Sequence, residues 1–171
     1  MKKTIIFFRI KAKQIEGVIK MKIYLMRHGE AEKNPGSIES MLTDKGIAQV
    51  SEMAERLKEK KINVDEVYHS GLLRAEESAS IVKSTAFNYL EDTERSGDLA
   101  PQAEPKRWQS KLEEEDYKSM DILFVSHIPF LDKFTETLIN DISDIQYACG
   151  TIVCLEKNEG QDWKVLWQWD P

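Results

Sequence analysis

The sequence predicts an α/β protein, a three-layer α/β/α sandwich built around a mainly parallel sheet. Two apolar runs, one within 23–30 and one within 121–127, each lead into a histidine and have the length and bounds of buried strands. Between them, apolar residues recur at the helical spacing in 47–57 and in 73–82. Because strands alternate with helices along the chain, we expect the strands to pair in parallel.

The composition is typical of a globular protein with one domain. The chain has 171 residues, of which 41% are hydrophobic and 32% charged, and this length suits one substantial core. The formal net charge of −6 argues against nucleic acid or an anionic membrane as a general partner. Cys149 and Cys154 lack the spacing of a metal site, and we expect them to be reduced in a cytoplasmic protein.

The N-terminal segment 1–20 differs in charge from the rest of the chain. It carries a net charge of +5, against −11 for residues 21–171. Its apolar run is interrupted too early by basic residues to form a signal peptide. We therefore predict an N-terminal extension at 1–20 and a single domain at 21–171. One hypothesis is that the natural start is Met21 and that 1–20 is translated leader; the alternative is a genuine basic arm.

Capping and turn residues divide the rest of the chain into elements. Thr43 is a good helix N-cap and is followed by Asp44 in the first turn. The apolar face of that helix is expected to hold Ile47, Val50, Met53, Ala54 and Leu57. The later elements are expected to be a strand over Val64–His69, a helix capped by Ser70, a short strand near Phe87–Leu90, a helix over 105–118, a helix from Pro129, and a closing hairpin of Thr151–Leu155 and Trp163–Trp169.

Groups suited to binding phosphate follow three of these strands. Arg27-His28 ends the first, Ser70 to Arg74 follows the second, and Ser126-His127 ends a later one. Parallel strands place their C-terminal ends at one edge of the sheet, where ligands bind in open α/β folds. Two arginines and two histidines around one point would bind a dianion, and each charge-assisted hydrogen bond contributes roughly 1.5–3 kcal/mol.

Five motifs follow one another along the chain: Arg27-His28-Gly29-Glu30 with Asn34, Leu42-Thr43-Asp44-Lys45-Gly46 with Gln49, Ser70-Gly71-Leu72-Leu73-Arg74-Ala75, Leu99-Ala100-Pro101, and Ser126-His127-Ile128-Pro129. In these motifs the sequence resembles the histidine phosphatase superfamily, whose fold is phosphoglycerate mutase-like. The match covers residues 21 to about 155. The sequence is most similar to the small SixA-type phosphohistidine phosphatases, which share an L-x-P segment.

The resemblance implies a role for each residue of the cluster. His28 would attack phosphorus and carry the phosphoryl group. Arg27, Arg74 and His127 would hold the phosphoryl oxygens, His127 as a protonated donor. Asn34 would add a neutral hydrogen bond. Ser70 and Glu30 are further candidates for substrate binding, and no metal or cofactor is expected because no ligand cluster has metal spacing.

The proton donor is less clearly marked than the phosphate ligands. Many members of the superfamily carry a glutamate acid between the second arginine and the second histidine, and the best positional match here is Asp98. Glu30 is an alternative acid, or a residue that only braces its loop. Asp98 as a solvated loop carboxylate is equally open. A labile P–N bond needs such an acid less, because imidazole leaves once it is protonated.

The function we expect is a cytoplasmic phosphohistidine phosphatase that acts on a protein, such as a phosphotransfer domain of a signalling relay. Only 23 residues separate Arg74 from Asp98 and only 28 separate Asp98 from His127, which leaves little chain for a lid. One alternative is a phosphatase for small phosphomonoesters. Another is a non-catalytic phosphate-binding module, against which the intact Arg27-His28 pair counts.

Overall fold

The computed structural model describes residues 20–33, 39–139 and 142–171. The strands of this part are β1 (Lys20–Arg27), β2 (Glu66–His69), β3 (Glu94–Arg95), β4 (Ile122–Ser126), β5 (Ile152–Asn158) and β6 (Lys164–Trp169). The helices are α1 (Asp44–Glu59), α2 (Leu73–Ala86), α3 (Lys106–Lys111) and α4 (Phe130–Leu138), with a 3-10 helix at Gly97–Leu99. Across the described residues, no helix has the length and apolar character needed to cross a membrane.

The six strands form one sheet in the order β3-β2-β4-β1-β5-β6. The neighbours among β3, β2, β4 and β1 pair in parallel, whereas β5 is antiparallel to both β1 and β6. The predicted mainly parallel sheet is therefore confirmed, and β5 with β6 is the predicted closing hairpin. In this register Arg27 lies beside Ser126, and His69 lies beside Val125.

Helices cover both faces of the sheet, as the predicted three-layer sandwich requires. Successive side chains of a strand point to opposite faces, and β1 follows this rule. Tyr24 and Met26 pack in the cluster that contains the buried residues of α1 and α2. Ile23 and Leu25 pack in the other cluster, with the aromatic residues of α3 and α4. Each face thus has its own hydrophobic core.

Helix α1 begins where the sequence predicts. The Thr43 side chain accepts a hydrogen bond from the backbone N–H of Gly46, which satisfies one of the free donors of the first turn. Val50 and three further apolar residues of the predicted face are buried against the sheet. Ile47 is the exception: it is 44% exposed, so its placement on the buried face was wrong.

Other predicted elements needed correction. Phe87–Leu90 is not a strand, because Phe87 is the buried C-cap of α2 and the strand β3 begins only at Glu94. Ser70 does not cap α2: the N-cap is Leu72, without a side-chain cap. The helix expected over 105–118 is limited to α3 and continues as turns.

The predicted extension at 1–20 falls almost wholly on residues 1–19, which lie outside the described residues. Lys20 is the first residue of β1 and pairs with Asn158 of β5. The hypothesis of a natural start at Met21 stays a prediction.

Candidate active site

The predicted phosphate ligands meet at the C-terminal edge of β1, β2 and β4. Arg27 is the last residue of β1 and is followed by His28, and Ser126 ends β4 next to it, followed by His127. Ser70 follows β2, on the other side of β4. Arg74 lies in the first turn of α2. The topology thus brings together both histidines and both arginines that the sequence pairs with phosphate.

His28 has one ring nitrogen that carries a hydrogen and one that carries a lone pair. Its Nδ1 lies 2.6 Å from the carbonyl oxygen of Gly29, and a carbonyl only accepts, so Nδ1 carries the hydrogen. The Arg74 Nε–H donates toward Nε2 of His28 at 3.3 Å, which requires a lone pair on Nε2. Nε2 is therefore the nucleophilic atom of this ring.

The position of His28 keeps the ring neutral. The residue is 8% exposed. Burial, aided by the positive charges of Arg74 and Arg27, lowers the pKa of His28 to about 4, although the hydrogen bond to Gly29 acts in the opposite direction. At neutral pH the Nε2 lone pair is thus available without a general base.

The loop that carries His28 packs directly on the backbone of α1. A Cβ atom at Gly29 would overlap the carbonyl of Gly46, and a Cβ at Gly46 would overlap the carbonyl of Glu30. The loop is tied to both helices of this layer: Gly29 N–H donates to Ser78 Oγ at 3.2 Å, and Glu30 N–H donates to Gln49 Oε1 at 2.9 Å. Two glycines and two side-chain acceptors therefore fix the backbone of the loop that carries His28.

In the described part of the chain, Arg27 has one guanidinium nitrogen that is hydrogen-bonded and one that is not. Its Nη1 donates to the carbonyl of Tyr147 at 2.8 Å. Its Nε is buried and has no hydrogen-bond partner among the described residues. A buried donor without a partner costs about 1–3 kcal/mol, which points to a ligand oxygen that completes the site.

His127 contributes a second buried nitrogen without a partner in the residues described. Its ring centroid lies 4.9 Å from that of His28, and its Nε2 lies 2.6 Å from Ser70 Oγ. Its Nδ1 is buried and, within the described part of the chain, unpartnered. Burial, together with His28 and the two arginines, lowers the pKa of His127 to about 3. At neutral pH and without a bound anion, the ring is therefore neutral. The protonated donor expected in the phosphate-bound site stays a prediction.

The two candidate acids lie in ion pairs. Asp98, in the 3-10 helix, has one carboxylate oxygen 3.0 Å from Arg107 Nη1 and the other 2.9 Å from Lys111 Nζ. The bond from Lys111, then that from Arg107, lowers the pKa of Asp98. A proton donor needs the opposite shift, so this arrangement does not favour Asp98 as an acid.

Glu30 belongs to the support of the loop. Its carboxylate pairs with Lys45 Nζ at 2.9 Å and accepts from the Thr43 hydroxyl at 3.2 Å. The hydrogen bond from Lys45 lowers the pKa of Glu30. These contacts join the loop to the start of α1. The sequence left open whether Glu30 is a proton donor or braces its loop, and the contacts match the bracing role. Asn34, the remaining candidate, lies outside the described residues.

Three supporting residues could not be identified from the sequence. Tyr147 contributes its backbone carbonyl to Arg27, a contact that carries no side-chain signature. Its hydroxyl is hydrogen-bonded to Thr135 of α4 at 2.8 Å, which fixes the segment. Ser78 accepts from Gly29 and donates to the carbonyl of Arg74 at 2.7 Å. Its spacing from Arg74, one helical turn, was the only available signal.

Among the described residues, no group of three or more His, Cys, Asp or Glu side chains lies in an arrangement that could hold a metal ion. The charges that face the site are instead the guanidinium groups of Arg27 and Arg74. Such groups can stabilise the negative charge of a phosphoryl group in the way a metal does. Metal independence stays a prediction.

Comparison with known proteins agrees with this geometry. Residues 23–97 match the family model "Histidine phosphatase superfamily (branch 1)". The sequence matches none of the curated proteins with which it was compared.

Solved structures share the fold. One is the protein histidine phosphatase SixA complexed with tungstate, with 24% identity, a TM-score of 0.80, and coverage of 88% of this chain and 97% of that chain. A protein from Agrobacterium tumefaciens, assigned as phosphohistidine phosphatase SixA, has 18% identity, a TM-score of 0.72, and coverage of 88% and 97%. A mutant phosphoserine phosphatase from Entamoeba histolytica in complex with phosphoserine has 16% identity, a TM-score of 0.67, and coverage of 86% and 96%. The family model and the SixA-like fold together confirm the resemblance to the histidine phosphatase superfamily that the motifs indicate.

Proposed function

We propose that this protein is a phosphohistidine phosphatase that hydrolyses phosphohistidine on a protein through a phosphoryl intermediate on His28. The observation that carries the proposal is the Nε2 lone pair of His28, which faces the Arg74 guanidinium at 3.3 Å. A neutral imidazole nitrogen beside two arginines is a nucleophile placed where a phosphoryl group binds.

In the first step, Nε2 of His28 attacks phosphorus in line with the leaving group. The Nε2–P bond forms while the P–N bond to the substrate imidazole breaks. The leaving nitrogen keeps that electron pair and takes a proton, which the solvent supplies. The His28 ring becomes a phosphoryl-imidazolium, whose Nδ1–H stays hydrogen-bonded to the Gly29 carbonyl, 2.6 Å away in this structure.

In the second step, water attacks the phosphoryl group of the intermediate. The O–P bond forms, the P–Nε2 bond breaks, and the electron pair returns to Nε2. A water proton is released with inorganic phosphate or to the solvent. The Nδ1–H of His28 donates to Gly29 throughout, so the ring returns to its starting tautomer. A P–N bond to a cationic ring breaks readily, which makes histidine a useful carrier.

Stabilisation of the phosphoryl oxygens would come from donors that now lack a partner. Arg27 Nε and His127 Nδ1 are both buried and unpartnered among the described residues. Oxygens of the transferring group would complete both hydrogen bonds, together with the Arg74 guanidinium. In a buried site each such donor contributes about 2.7–4 kcal/mol to transition-state stabilisation, by analogy with oxyanion holes.

The segment between Arg74 and His127 supports a protein as the substrate. All of this segment is described, and it consists of the rest of α2, β3, the 3-10 helix, α3, β4 and the turns that connect them. It leaves no inserted domain over the site. The partner we propose is a phosphorylated protein such as a histidine phosphotransfer domain, met in the cytoplasm, with neither nucleic acid nor membrane as a partner.

A small phosphomonoester is the second candidate substrate. The similarity in fold to the phosphoserine phosphatase from Entamoeba histolytica favours it. An alkoxide is a poor leaving group and needs a positioned acid, and the ion pairs of Asp98 count against that role. This difference in leaving group ranks phosphohistidine first.

The test compares kcat/KM on a phosphohistidine protein with kcat/KM on a panel of phosphate monoesters, in the wild type and in Asp98→Asn. We expect efficient hydrolysis of phosphohistidine, slow hydrolysis of the esters, and little effect of Asp98→Asn on phosphohistidine. Efficient hydrolysis of one ester with none of the phosphohistidine protein would replace the first candidate with the second. A large, equal loss on both substrates in Asp98→Asn would make Asp98 the general acid.

A further inference from the structure

We propose that Ser70 is a positioning residue that holds neutral His127 as its Nδ1–H tautomer, so that this N–H donates to a phosphoryl oxygen. The inference rests on the proposed function, because it assigns the bound group as phosphoryl. The sequence pointed to Ser70 as a cap of α2 and as a substrate ligand. The geometry instead places its hydroxyl on a ring nitrogen of His127.

The hydrogen bonds of the Ser70 hydroxyl determine its direction. The side chain is buried, and its Oγ lies 2.6 Å from His127 Nε2. The same oxygen accepts a hydrogen bond from the backbone N–H of Leu72 at 3.3 Å. Among the described residues, His127 Nε2 is the one acceptor available to the hydroxyl hydrogen. A buried hydroxyl hydrogen without an acceptor is unfavourable, so Ser70 donates to Nε2.

The direction of this bond sets the tautomer of the ring. A neutral imidazole has one N–H and one lone pair. If Nε2 accepts from Ser70, the hydrogen must be on Nδ1. That nitrogen is buried and has no partner within the described part of the chain. The hydrogen bond to Ser70 therefore leaves the Nδ1–H of His127 as a donor that has no acceptor among these residues. The His127 ring lies beside that of His28, with 4.9 Å between the ring centroids.

The tautomer matters because burial keeps the ring neutral. The pKa of His127 is lowered to about 3, so a proton is not already present to make both nitrogens donors. The Nε2–H tautomer would turn a lone pair toward the phosphoryl oxygens and repel them. A hydroxyl also accepts, so Ser70 can reverse its bond if the bound dianion draws a proton onto His127. One serine thus supports both protonation states.

The tautomer can be measured directly in the full chain without substrate. Histidine ring nitrogens that carry hydrogen differ clearly in 15N chemical shift from those that do not. The chain has three histidines, and His127→Gln assigns the ring of interest. At neutral pH we expect the wild-type His127 ring to be protonated at Nδ1. In Ser70→Ala we expect the hydrogen to move to Nε2 or to exchange between the two nitrogens.

Ser126→Ala is the matched control. Ser126 is also a buried serine and is the chain neighbour of His127, but its hydroxyl donates to the Leu99 carbonyl at 2.6 Å. This variant should keep the Nδ1–H tautomer. A wild-type ring protonated at Nε2 would overturn the inference, even if no Ser70 variant folds. An unchanged tautomer in folded Ser70→Ala would overturn it as well.

Binding and rate measurements then test the consequence of the tautomer. Vanadate, a phosphoryl-like oxyanion, should shift the Nδ1–H signal of the wild type. Ser70→Ala should weaken vanadate binding and lower kcat/KM by about 10- to 100-fold, by analogy with the loss of hydrogen-bond partners that orient metal-binding histidines. Vanadate binding that leaves the Nδ1–H signal unchanged would contradict the inference. Absence of any phosphatase activity in the wild type would instead reject the proposed function, since the tautomer is read without turnover.

Discussion

His28 makes two contacts, one at each nitrogen of its ring. The carbonyl of Gly29 holds the hydrogen on Nδ1, and Arg74 approaches the lone pair of Nε2. Neither contact requires a carboxylate, in contrast to a Ser-His-Asp triad, where an acid orients the imidazole. Backbone geometry fixes the tautomer of the proposed nucleophile, and burial lowers its pKa. The lowered pKa leads to two predictions about pH.

We predict that the His28 ring stays neutral well below the usual range of histidine. Its pKa is lowered to about 4, so Nε2 should lose its lone pair, and the enzyme its activity, only as the pH falls through about 4. NMR titration of the ring in the free protein measures this directly. A midpoint near 6.5 would show that the ring is more hydrated and less reactive than the structure indicates.

The same shift predicts how stability depends on pH. The folded pKa of His28 lies below the unfolded value of about 6.5, so the unfolded chain binds more protons between these two values. The contribution of His28 to the free energy of unfolding is fully present above about 6.5 and is lost as the pH falls toward about 4. Denaturation of wild type and His28→Asn across this window should show a steeper acid loss in the wild type. Equal slopes would contradict this.

We predict that Arg74→Lys damages catalysis although it keeps the positive charge. Lysine lacks the planar fork that can contact Nε2 of His28 and a phosphoryl oxygen together. The expected loss in kcat/KM is about 100- to 1,000-fold, by analogy with single oxyanion donors. Arg107→Lys is the matched control, because Arg107 is exposed and Asp98 keeps its second partner, Lys111. A near-normal rate in Arg74→Lys would remove Arg74 from the site.

The junction of the His28 loop with α1 is the element on which the site depends. The backbones approach so closely that neither Gly29 nor Gly46 has room for a side chain. The N-cap Thr43 donates to Glu30, and Lys45 pairs with its carboxylate. The start of this helix therefore supports the loop that carries His28, and its buried residues also belong to the core.

We predict that Gly46→Ala lowers both stability and activity. In an open helix this change would stabilise by about 1 kcal/mol, but here the new methyl group overlaps the Glu30 carbonyl. Overpacking of this kind costs about 1–3 kcal/mol or more, so the net effect should be destabilising, and displacement of the loop should lower kcat. Gly97→Ala is the control, because nothing lies within 4 Å of its added Cβ. A more stable, fully active Gly46→Ala protein would contradict the packing.

Sequence reasoning succeeded for these elements where the signal was local. The Thr43 cap and the apolar strands before His28 and His127 depend on neighbours in the chain, and each was found. It failed where a distant partner decided the outcome. Ser70 has the chemistry of a helix cap, but its hydroxyl is hydrogen-bonded to the ring of His127, 57 residues away in the sequence.

The limits of prediction were also clear at Phe87 and Tyr147. Phe87 has strand propensity, yet it lies just after α2 and not in a strand. Its side chain is nevertheless buried in the cluster that contains the apolar residues of α1 and α2. Tyr147 supports Arg27 through a carbonyl oxygen, which every residue possesses. No pattern of side chains marks such a contact before the chain is folded.

For the molecule as a whole, the sheet edge joins residues from distant parts of the sequence. Strands β1, β2 and β4 pair side by side in parallel, so their ends bring His28, Ser70 and His127 together. The site is assembled only when the sandwich forms, and it uses the positive charges of Arg27 and Arg74. The protein as a whole should therefore need no further cation.

We predict that activity survives dialysis against strong chelators and does not rise when magnesium is added. The reason is that the guanidinium groups of Arg27 and Arg74 would face the phosphoryl oxygens of a bound substrate, while the described residues hold no cluster suited to a metal. The measurement is kcat/KM before and after chelation, with metal content checked on the same sample. Complete loss in chelator followed by recovery with one metal ion would contradict it.

The most direct test of the proposed mechanism is to trap the phosphoryl group. Wild type and His28→Asn are mixed with a phosphohistidine protein, quenched within the first turnover at alkaline pH, and analysed by mass spectrometry of the intact protein and its peptides. We predict one acid-labile phosphoryl group on His28 in the wild type, and none in the variant, which should also fail to turn over. Phosphate release at a normal rate by folded His28→Asn, or a phosphoryl group on another residue, would contradict His28 as the nucleophile.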